Sequence, residues 1–379
     1  MTQRRNEMVT IKEVKTKRQL HQFIDFPIHL YKGNSNFVPS LAIDEEMNLN
    51  PKKNPAYEYC ETRLFLAMKD KKIVGRICGL INHAHNTKAN ALDIRFNRFD
   101  MIDDLEVTKS LLDAVSKWGK SREMNNLVGP IGFCDLDKEG MLVEGFDEKN
   151  LFITLYNNPY YPAHLETLGF TKEVDWVEYQ ILIPDAVPPR LQRLSDVATK
   201  RYGFEIMKFK NKKEMVPYAK KAFIMYNDAF APLYGTVPLN EAQIDMYISQ
   251  FIMLVSLDFI FIVQDKHKEV IGIGALAPSL ADAVRDSKGK LFPFGWYRIL
   301  KSIKHPKVLD MYIIAVKPEY QLQGASALIL VEGVKNAIKK GIKVAETGPE
   351  LEDNTNVQGL WSEFNTRKYK RRRCYHKAI

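Results

Sequence analysis

One segment of the chain combines residue types that suit the binding of phosphate. The run VLDMYIIAVKPEYQLQGASALIL, residues 308–330, reads as a strand that ends at Val316, a break at Pro318 and a helix that starts near Gly324. A short glycine-containing loop that leads into a helix presents backbone N–H groups and the positive end of the helix dipole. This junction therefore predicts a site for a ligand that carries a pyrophosphate.

The elements around the junction predict a mixed α/β fold. Enrichment in β-branched and aromatic residues predicts strands, and apolar spacing of three to four residues predicts helices. In the second half these patterns give a hairpin, a third strand, a crossover helix, a fourth strand, a short helix and a last strand. A right-handed crossover makes the third and fourth strands parallel neighbours. The first half has the same order of elements.

The chain is long enough for two domains. It has 379 residues, and three prolines cluster near its middle at Pro184, Pro188 and Pro189. Clustered prolines block helix continuation and mark boundaries between domains. We therefore expect an N-terminal domain over residues 1–183, a linker over 184–200 and a C-terminal domain over 201–379.

Composition favours a globular protein. Hydrophobic residues make up 45% of the chain and charged residues 27%, which excludes a disordered chain. No apolar run approaches the roughly 20 residues that cross a bilayer, and the basic N-terminus lacks the apolar core of a secretion signal. The four cysteines have no metal-ligand spacing. A cytoplasmic protein with reduced thiols and no metal is expected.

The junction resembles the acyl-CoA-binding motif of the GNAT N-acyltransferase superfamily. That motif has Arg or Gln, two residues, Gly, one residue, and then Gly or Ala; here Gln321 and Gly324 match, and Ser326 takes the last position. The run ETGPELEDNTNVQGLWSEFN also resembles the superfamily, with a strand, an Asn and a short helix. The resemblance implies two tandem GNAT-like domains and a transferase that moves an acetyl or longer acyl group from acyl-CoA to an amine.

The resemblance also implies roles for single residues. The backbone of residues 314–316 would pair with the pantetheine amides, and the amides of residues 321–326 would hold the pyrophosphate. Asn354 would lie near the pantetheine. The implied acyl-CoA-binding residues are Ile314, Ala315, Val316, Gln321, Gln323, Gly324, Ala325, Ser326 and Asn354.

Direct attack by an amine requires that the protein take one proton and return another to the leaving thiolate. Glu346, on the strand IKVAETG, is the first candidate for the base. Period-two alternation puts Asp310 and Tyr312 on the strand face that carries the side chains of residues 314 and 316. For each residue alone, packing or an ion pair is the competing interpretation. Two tyrosines on the last strand are candidate acids, Tyr369 and Tyr375.

The corresponding junction in the first half, FDMIDDLEVTKSLL, has no glycine. Asp103, Asp104 and Glu106 crowd the start of its helix. These acids would cap the helix but repel a pyrophosphate. The first half is therefore expected not to bind the cofactor and to help shape the acceptor pocket.

The formal net charge of +9 is concentrated in the C-terminal run TRKYKRRRCYHK. The run fits either a solvated strand edge or an anion-binding surface. The second interpretation gives an alternative function, an inactive GNAT-like scaffold that binds nucleic acid or another anionic surface. Nucleic acid ranks lower because few aromatic residues are interleaved with the basic ones.

An insertion over residues 279–307 contains LFPFGWYRILKSIK, in which aromatic and aliphatic residues alternate with Arg and Lys. It fits a lid over an acyl channel or a peripheral contact at the inner membrane face. The first half remotely resembles tandem GNAT proteins that include bacterial ceramide synthases, which implies a long-chain acyl donor and a sphingoid amine. Amino acids, aminoglycosides, peptides and protein lysines stay open as acceptors.

Overall fold

The structure is a computed structural model that describes residues 8–379; residues 1–7, which belong to the N-terminus expected to lack a secretion signal, lie outside it. The chain divides into two compact units, and neither is a continuous stretch of sequence. The first comprises the residues up to Trp176, Lys288–Lys290 and Lys370–Ile379. The second comprises Val177–Ser287 and Leu291–Tyr369.

The first unit is built mainly from the N-terminal elements of the chain. These are β1 (Thr10–Glu13), α1 (Lys17–Leu30), α2 (Ala42–Asn48), β2 (Cys60–Lys69), β3 (Lys72–Asn82), α3 (His83–Ala89), β4 (Asp93–Met101), α4 (Leu105–Lys120), β5 (Asn126–Gly129), β6 (Met141–Glu144), α5 (Tyr160–Thr167) and the start of β7 (Thr171–Leu182).

The sheet of the first unit runs in the order β1-β2-β3-β4-β5 and continues with the end of the last strand of the chain. β4 and β5 are parallel, and the pairs before them are antiparallel. Helix α4 packs on this sheet through Val107, Leu111 and Val115, which are buried in the main core of the unit. The predicted α/β organisation of this half is confirmed.

The second unit contains the remaining elements. These are the end of β7, α6 (Pro189–Tyr202), β8 (Glu205–Ile206), α7 (Lys212–Phe230), α8 (Glu241–Phe251), β9 (Ile260–Gln264), β10 (Val270–Pro278), α9 (Ala281–Asp286), α10 (Gly295–Lys304), β11 (Val308–Val316), α11 (Ala325–Lys339), β12 (Val344–Thr347), β13 (Glu350–Leu351), α12 (Thr355–Gly359) and the start of β14 (Asn365–Ala378).

The sheet of the second unit runs in the order β8-β9-β10-β11-β12-β7. β11 and β12 are parallel, as the crossover through α11 predicts, and the other pairs are antiparallel. Helix α11 packs on this sheet through an apolar core that includes Leu328, Val331 and Ala337. Helix α7 also contacts β10 and β11. No helix of residues 8–379 is both long and apolar enough to cross a membrane.

The segment expected to be a linker is largely helical. Residues 189–202 form α6, which begins with Pro189 and ends at Gly203 in the left-handed conformation. Proline suits the first turn of a helix because its missing N–H would have no helical acceptor there. Leu191 and Ala198 of α6 are buried in the core that contains α11. The proline cluster therefore marks a helix start, and the linker prediction for residues 184–200 was wrong in this respect.

Candidate functional site

The strands β11 and β12 separate part-way along their length. Their register runs from Val308 opposite Val344 to Met311 opposite Thr347. The Gly348 N–H then donates to the Met311 carbonyl at 3.1 Å. β11 continues to Val316, and in the described part of the chain β12 supplies no partner for its last residues. An open strand edge results.

The backbone of Ile314 and Val316 faces this edge. The Lys317 N–H donates to Ile271 of β10, and alternation along an extended strand directs the polar groups of residues 314 and 316 to the opposite side. The Val316 carbonyl accepts a hydrogen bond from Gln321 Nε2 at 3.2 Å. The edge can therefore offer both polar groups of Ile314 and the N–H of Val316 to an extended ligand.

A β-bulge interrupts β11 at Tyr312. Ala275 of β10 lies opposite Ile313, but the next residue, Leu276, lies opposite Met311. Tyr312 is therefore an extra residue between two register pairs. Such an insertion re-aims the side chains that follow it.

The bulge puts Asp310 and Tyr312 on the strand face opposite α11. The side chains of β11 that contact the core beneath α11 are odd-numbered before the bulge and even-numbered after it: Leu309, Met311, Ile314 and Val316. The prediction that Asp310 and Tyr312 share a face with residues 314 and 316 was wrong, because the inserted residue shifts the alternation by one position.

Three of the predicted catalytic residues meet on that opposite face. Asp310 is buried and is the register partner of Glu346, whose Oε1 accepts a hydrogen bond from Gln180 Nε2 at 3.0 Å. The Tyr312 hydroxyl is buried without a hydrogen-bond partner among residues 8–379. Burial, and then the charge of Asp310, raise the pKa of Tyr312 well above its ordinary value. This phenol therefore stays protonated at neutral pH.

The expected phosphate loop is a tight helical turn. Residues 318–323 form a 3-10 helix, and Gly324 follows with a φ of 84°. A Cβ at Gly324 would lie 2.7 Å from the Leu194 carbonyl oxygen and 3.2 Å from Ala198 Cβ, both on α6. The glycine is therefore required both by its conformation and by the approach of α6. The Gln323 amide donates to the Glu319 carbonyl at 2.8 Å.

The N-terminus of α11 has no side-chain cap beside this turn, because its N-cap residue is Gly324. Gln321 is exposed and Ser326 is half-buried, whereas Ala325 is buried. In the sequence, the start of α11 follows the open end of β11 after one short turn. The first N–H groups of a helix suit an anion.

A small apolar cavity of about 30 Å³ adjoins the edge on the α11 side. It is lined by residues of the sheet, of α11 and of the segment after α12, among them Met311, Ile314, Ile329, Val334, Trp361 and Phe364. Its lining gives the open edge an apolar wall on this side, and its volume is enough for about one or two water molecules.

Glu350 is a candidate that the sequence did not single out. Both of its carboxylate oxygens accept the Trp361 indole N–H at 3.0 Å, and Trp361 lines the cavity. Burial raises the pKa of Glu350 to about 7, although hydrogen bonds from Trp361 and Thr347 lower it. In the sequence, Glu350 is one of several acids in ETGPELED, and no spacing distinguishes it from the others.

The remaining predicted residues have structural partners. The Asn354 side-chain oxygen caps α12 by accepting the Val357 N–H at 3.4 Å. Tyr369 is buried with the Arg367 guanidinium 5.6 Å from its ring centre. Tyr375 belongs to the core of the first unit, where its hydroxyl donates to Glu166 Oε1 at 3.1 Å. The structure therefore gives Tyr375 a packing role.

The first unit has the same strand separation, but the chain itself fills it. After three register pairs between β4 and β5, the Ile131 N–H donates to the Phe96 carbonyl at 3.0 Å. The Ile131 and Gly132 carbonyls accept hydrogen bonds from Asn97 Nδ2 at 3.2 Å and Arg95 Nη1 at 2.9 Å. The segment after β5 thus occupies the position that is open beside β11.

The helix that follows this separation is capped by its own acid. Asp104 Oδ1 accepts the N–H groups of Glu106 at 3.0 Å and Val107 at 3.4 Å, and its other oxygen lies 2.6 Å from Lys69 Nζ. Burial opposes ionisation of Asp104, but hydrogen bonds from Lys69 and Val107 outweigh it and lower its pKa. The expected acidic cap of α4 is confirmed.

The basic C-terminal run is largely internal. Lys370 and Arg372 are buried, and the Lys370 ammonium donates to the Lys149 carbonyl at 2.6 Å. Arg373 makes two hydrogen bonds to the buried carboxylate of Asp175, at 2.8 and 3.0 Å. These cations have acceptors inside the first unit. This part of β14 is therefore neither a solvated strand edge nor an anion-binding surface, the two alternatives that the sequence left open.

Comparison with known proteins identifies the fold. No family model matches the chain. A tandem GNAT protein from the clavulanic acid biosynthesis pathway superposes with a TM-score of 0.56 at 10% identity, over 98% of each chain. The chain therefore has the fold of tandem GNAT proteins. A GCN5-related glucosamine N-acetyltransferase region of a fungal enzyme gives a TM-score of 0.57 at 10% identity, over 99% of this chain and 38% of the other.

The chain also matches two sequence relatives over nearly their full length. Protein YghO of Escherichia coli is 29% identical over 370 residues, which span 96% of this chain and 94% of the relative. The bacterial ceramide synthase of Caulobacter vibrioides is 25% identical, over 99% of this chain and 98% of the relative. Both relatives span the two units.

Proposed function

We propose that this protein is an acyl-CoA-dependent N-acyltransferase and that its second unit binds the acyl-CoA. One observation carries the proposal: β11 and β12 separate after Met311, and the backbone of Ile314 and Val316 faces the open edge. The pantetheine amides would add to this edge as an extended strand. The pyrophosphate would accept N–H groups of residues 321–326 at the start of α11.

The residues opposite α11 suit the two proton transfers. The acceptor nitrogen attacks the thioester carbon, so that a C–N bond forms and the C–S bond breaks. Glu346 would take the proton from the amine, and Asp310 is its register partner on the neighbouring strand. The protonated Tyr312 would return a proton to the CoA thiolate. A backbone N–H near Val316 would stabilise the oxyanion.

One observation favours a long acyl group and a lipid-borne amine: a full-length relative is named a ceramide synthase. The proposed acceptor is therefore an amine of the sphingoid type. The cavity next to the edge has an apolar lining, but its volume of about 30 Å³ is too small for an acyl chain. Acetyl-CoA and other amines are the competing substrates.

The first unit is proposed to bind no acyl-CoA. The chain after β5 fills the strand separation, and Asp104 occupies the N–H groups at the start of α4. The alternative function, an inactive scaffold that binds nucleic acid through its basic end, has less support. Lys370, Arg372 and Arg373 of that end are already engaged with internal acceptors.

Calorimetry with CoA and acyl-CoAs tests the cofactor site. We expect binding of one acyl-CoA per chain, and an absence of binding at millimolar cofactor would overturn the proposal. Mass spectrometry of reactions with acetyl- to palmitoyl-CoA, each with sphinganine or glucosamine, then identifies the product. Transfer only to glucosamine would retain the N-acyltransferase and reject the lipid acceptor.

A further inference from the structure

The second unit carries a concentrated patch of exposed apolar side chains. Within nine residues, Phe292, Phe294, Trp296, Tyr297 and Leu300 are 78%, 70%, 47%, 58% and 45% exposed. Single exposed apolar residues are common on proteins, but a contiguous group marks an interaction surface. We call these five residues, together with Arg298, Lys301 and Lys304, the α10 patch.

Helix α10 is fixed to the protein by its inner face. Gly295 and Ile299 are buried, whereas Trp296 and Leu300 are exposed. The Trp296 indole N–H donates to the Pro293 carbonyl at 3.0 Å. Because this polar group already has an acceptor, the indole ring can enter an apolar phase without losing a hydrogen bond.

The sequence that carries the patch is basic. Between Asp286 and Asp310 the chain contains six Lys or Arg residues and no Asp or Glu: Lys288, Lys290, Arg298, Lys301, Lys304 and Lys307. Arg298, Lys301 and Lys304 are exposed, and Arg298 lies 3.4 Å from Asp286. A second copy of this surface would be repelled by its own charge, whereas an anionic surface would attract it.

We propose that the α10 patch docks on an anionic lipid bilayer. The aromatic rings would enter the boundary between headgroups and acyl chains, and the lysines would extend to the phosphates. Aromatic and basic residues on one short helix suit this environment because each juxtamembrane cation adds attraction to anionic lipid. This inference goes beyond the proposed function and does not depend on it, since docking requires neither acyl-CoA nor catalysis.

Vesicles of phosphatidylglycerol and phosphatidylcholine test the proposal, with pure phosphatidylcholine vesicles for comparison. We expect flotation with the anionic vesicles and a blue shift of tryptophan emission that brominated lipid quenches. The signal reports on Trp296, because Trp118, Trp176 and Trp361 are buried. Salt should weaken the binding. No binding to anionic vesicles, or equal binding to neutral ones, would overturn the proposal.

Two variants separate the apolar and charged contributions in the flotation assay. The F292S/F294S/W296S variant should lower vesicle affinity about 100-fold, and K301E/K304E should lower it about tenfold or more. The matched controls alter exposed residues elsewhere in the unit, I224S/M253S and K208E/K213E, and should bind as the wild type does. Unchanged binding by both patch variants would overturn the proposal, as would a patch-dependent dimer that does not bind lipid.

Discussion

Met311 and Thr347 are the last register partners of β11 and β12, and the two strands separate directly after them. In the first unit the equivalent position is closed, because the Ile131 N–H donates to the Phe96 carbonyl at 3.0 Å. One chain thus contains an open and a filled version of the same strand arrangement. The filled version supplies an internal control for experiments on the open one.

The first prediction concerns the start of α11. Replacement of Ser326 by Glu should lower CoA affinity at least tenfold, because a carboxylate would repel the pyrophosphate. The same carboxylate should stabilise the helix by about 0.3–1 kcal/mol through the helix dipole. Calorimetry and thermal unfolding measure the two effects.

Ser326→Ala is the control, and it should bind CoA within about threefold of the wild type. Wild-type affinity in S326E would contradict a phosphate site at this helix end. Gly324→Glu is unsuitable as a binding variant, because it is expected to destabilise the protein. Its Cβ would lie 2.7 Å from the Leu194 oxygen, at a φ of 84°.

The second prediction concerns Tyr312. Tyr312→Phe should lower kcat about 100-fold or more while KM changes little, because a general acid acts on the leaving group. Stability should be unchanged or higher, since the buried hydroxyl has no partner in the described chain. Tyr320→Phe, which removes a hydroxyl 3.3 Å from Asp265, should keep its activity. A kcat within threefold of wild type in Y312F would remove Tyr312 from the mechanism.

The third prediction concerns the pH dependence set by Glu350. Its pKa rises from 4.5 to about 7 on folding, so the native state binds more protons than the unfolded state between these values. The free energy of unfolding should therefore fall as pH rises, by up to about 3 kcal/mol at about 1.4 kcal/mol per pKa unit. Glu350→Gln should remove this decline in urea unfolding between pH 5 and 8. The exposed Glu269→Gln should keep it; an unchanged slope in E350Q would reject the assignment.

The fourth prediction concerns the acid beneath the basic strand. Asp175→Asn should lower the free energy of unfolding by about 2–3 kcal/mol at pH 7, because it removes the charge that Arg373 and Lys172 contact. Glu144 pairs with Arg371 but is largely exposed. Glu144→Gln should therefore lower the free energy of unfolding by less than about 1 kcal/mol.

The effect of Asp175 should disappear in acid. Burial raises the pKa of Asp175, but hydrogen bonds from Arg373 and Lys172 outweigh it, and the net shift is downward. A depressed pKa gives stability that is present above the unfolded-state pKa and is lost as pH falls through the native one. The difference between D175N and the wild type should therefore shrink at low pH. A constant difference would contradict the ionic contribution.

Local pattern accounts for the elements that were predicted well. The strand expected over 308–316 is Val308–Val316, and the helix expected after Gly324 is Ala325–Lys339. β-branched enrichment and apolar spacing are local patterns of a few residues. These strands and helices can therefore be predicted from the sequence alone. The acidic cap at Asp104 is likewise a local interaction.

The features that were missed depend on contacts between distant segments. The bulge at Tyr312 follows from the register of β11 on β10. No residue type in VLDMYIIAV predicts it. The raised pKa of Glu350 depends on its burial beside Trp361. Helix α6 packs against α11 through a shared apolar core. This contact with a distant segment stabilises a helix where the prolines predict a domain boundary.

The position of β14 has a consequence for synthesis on the ribosome. In the sheet of the first unit, Tyr375–Ala378 pair with β5, yet these residues emerge only after residues 177–369 have been translated. Until then one edge of β5 in the nascent first unit has unpaired N–H and C=O groups, which can pair with strands of other chains. We expect this unit to complete its fold only after residues 370–379 have been translated, and expression yield to depend on chaperones that protect the unpaired edge of β5.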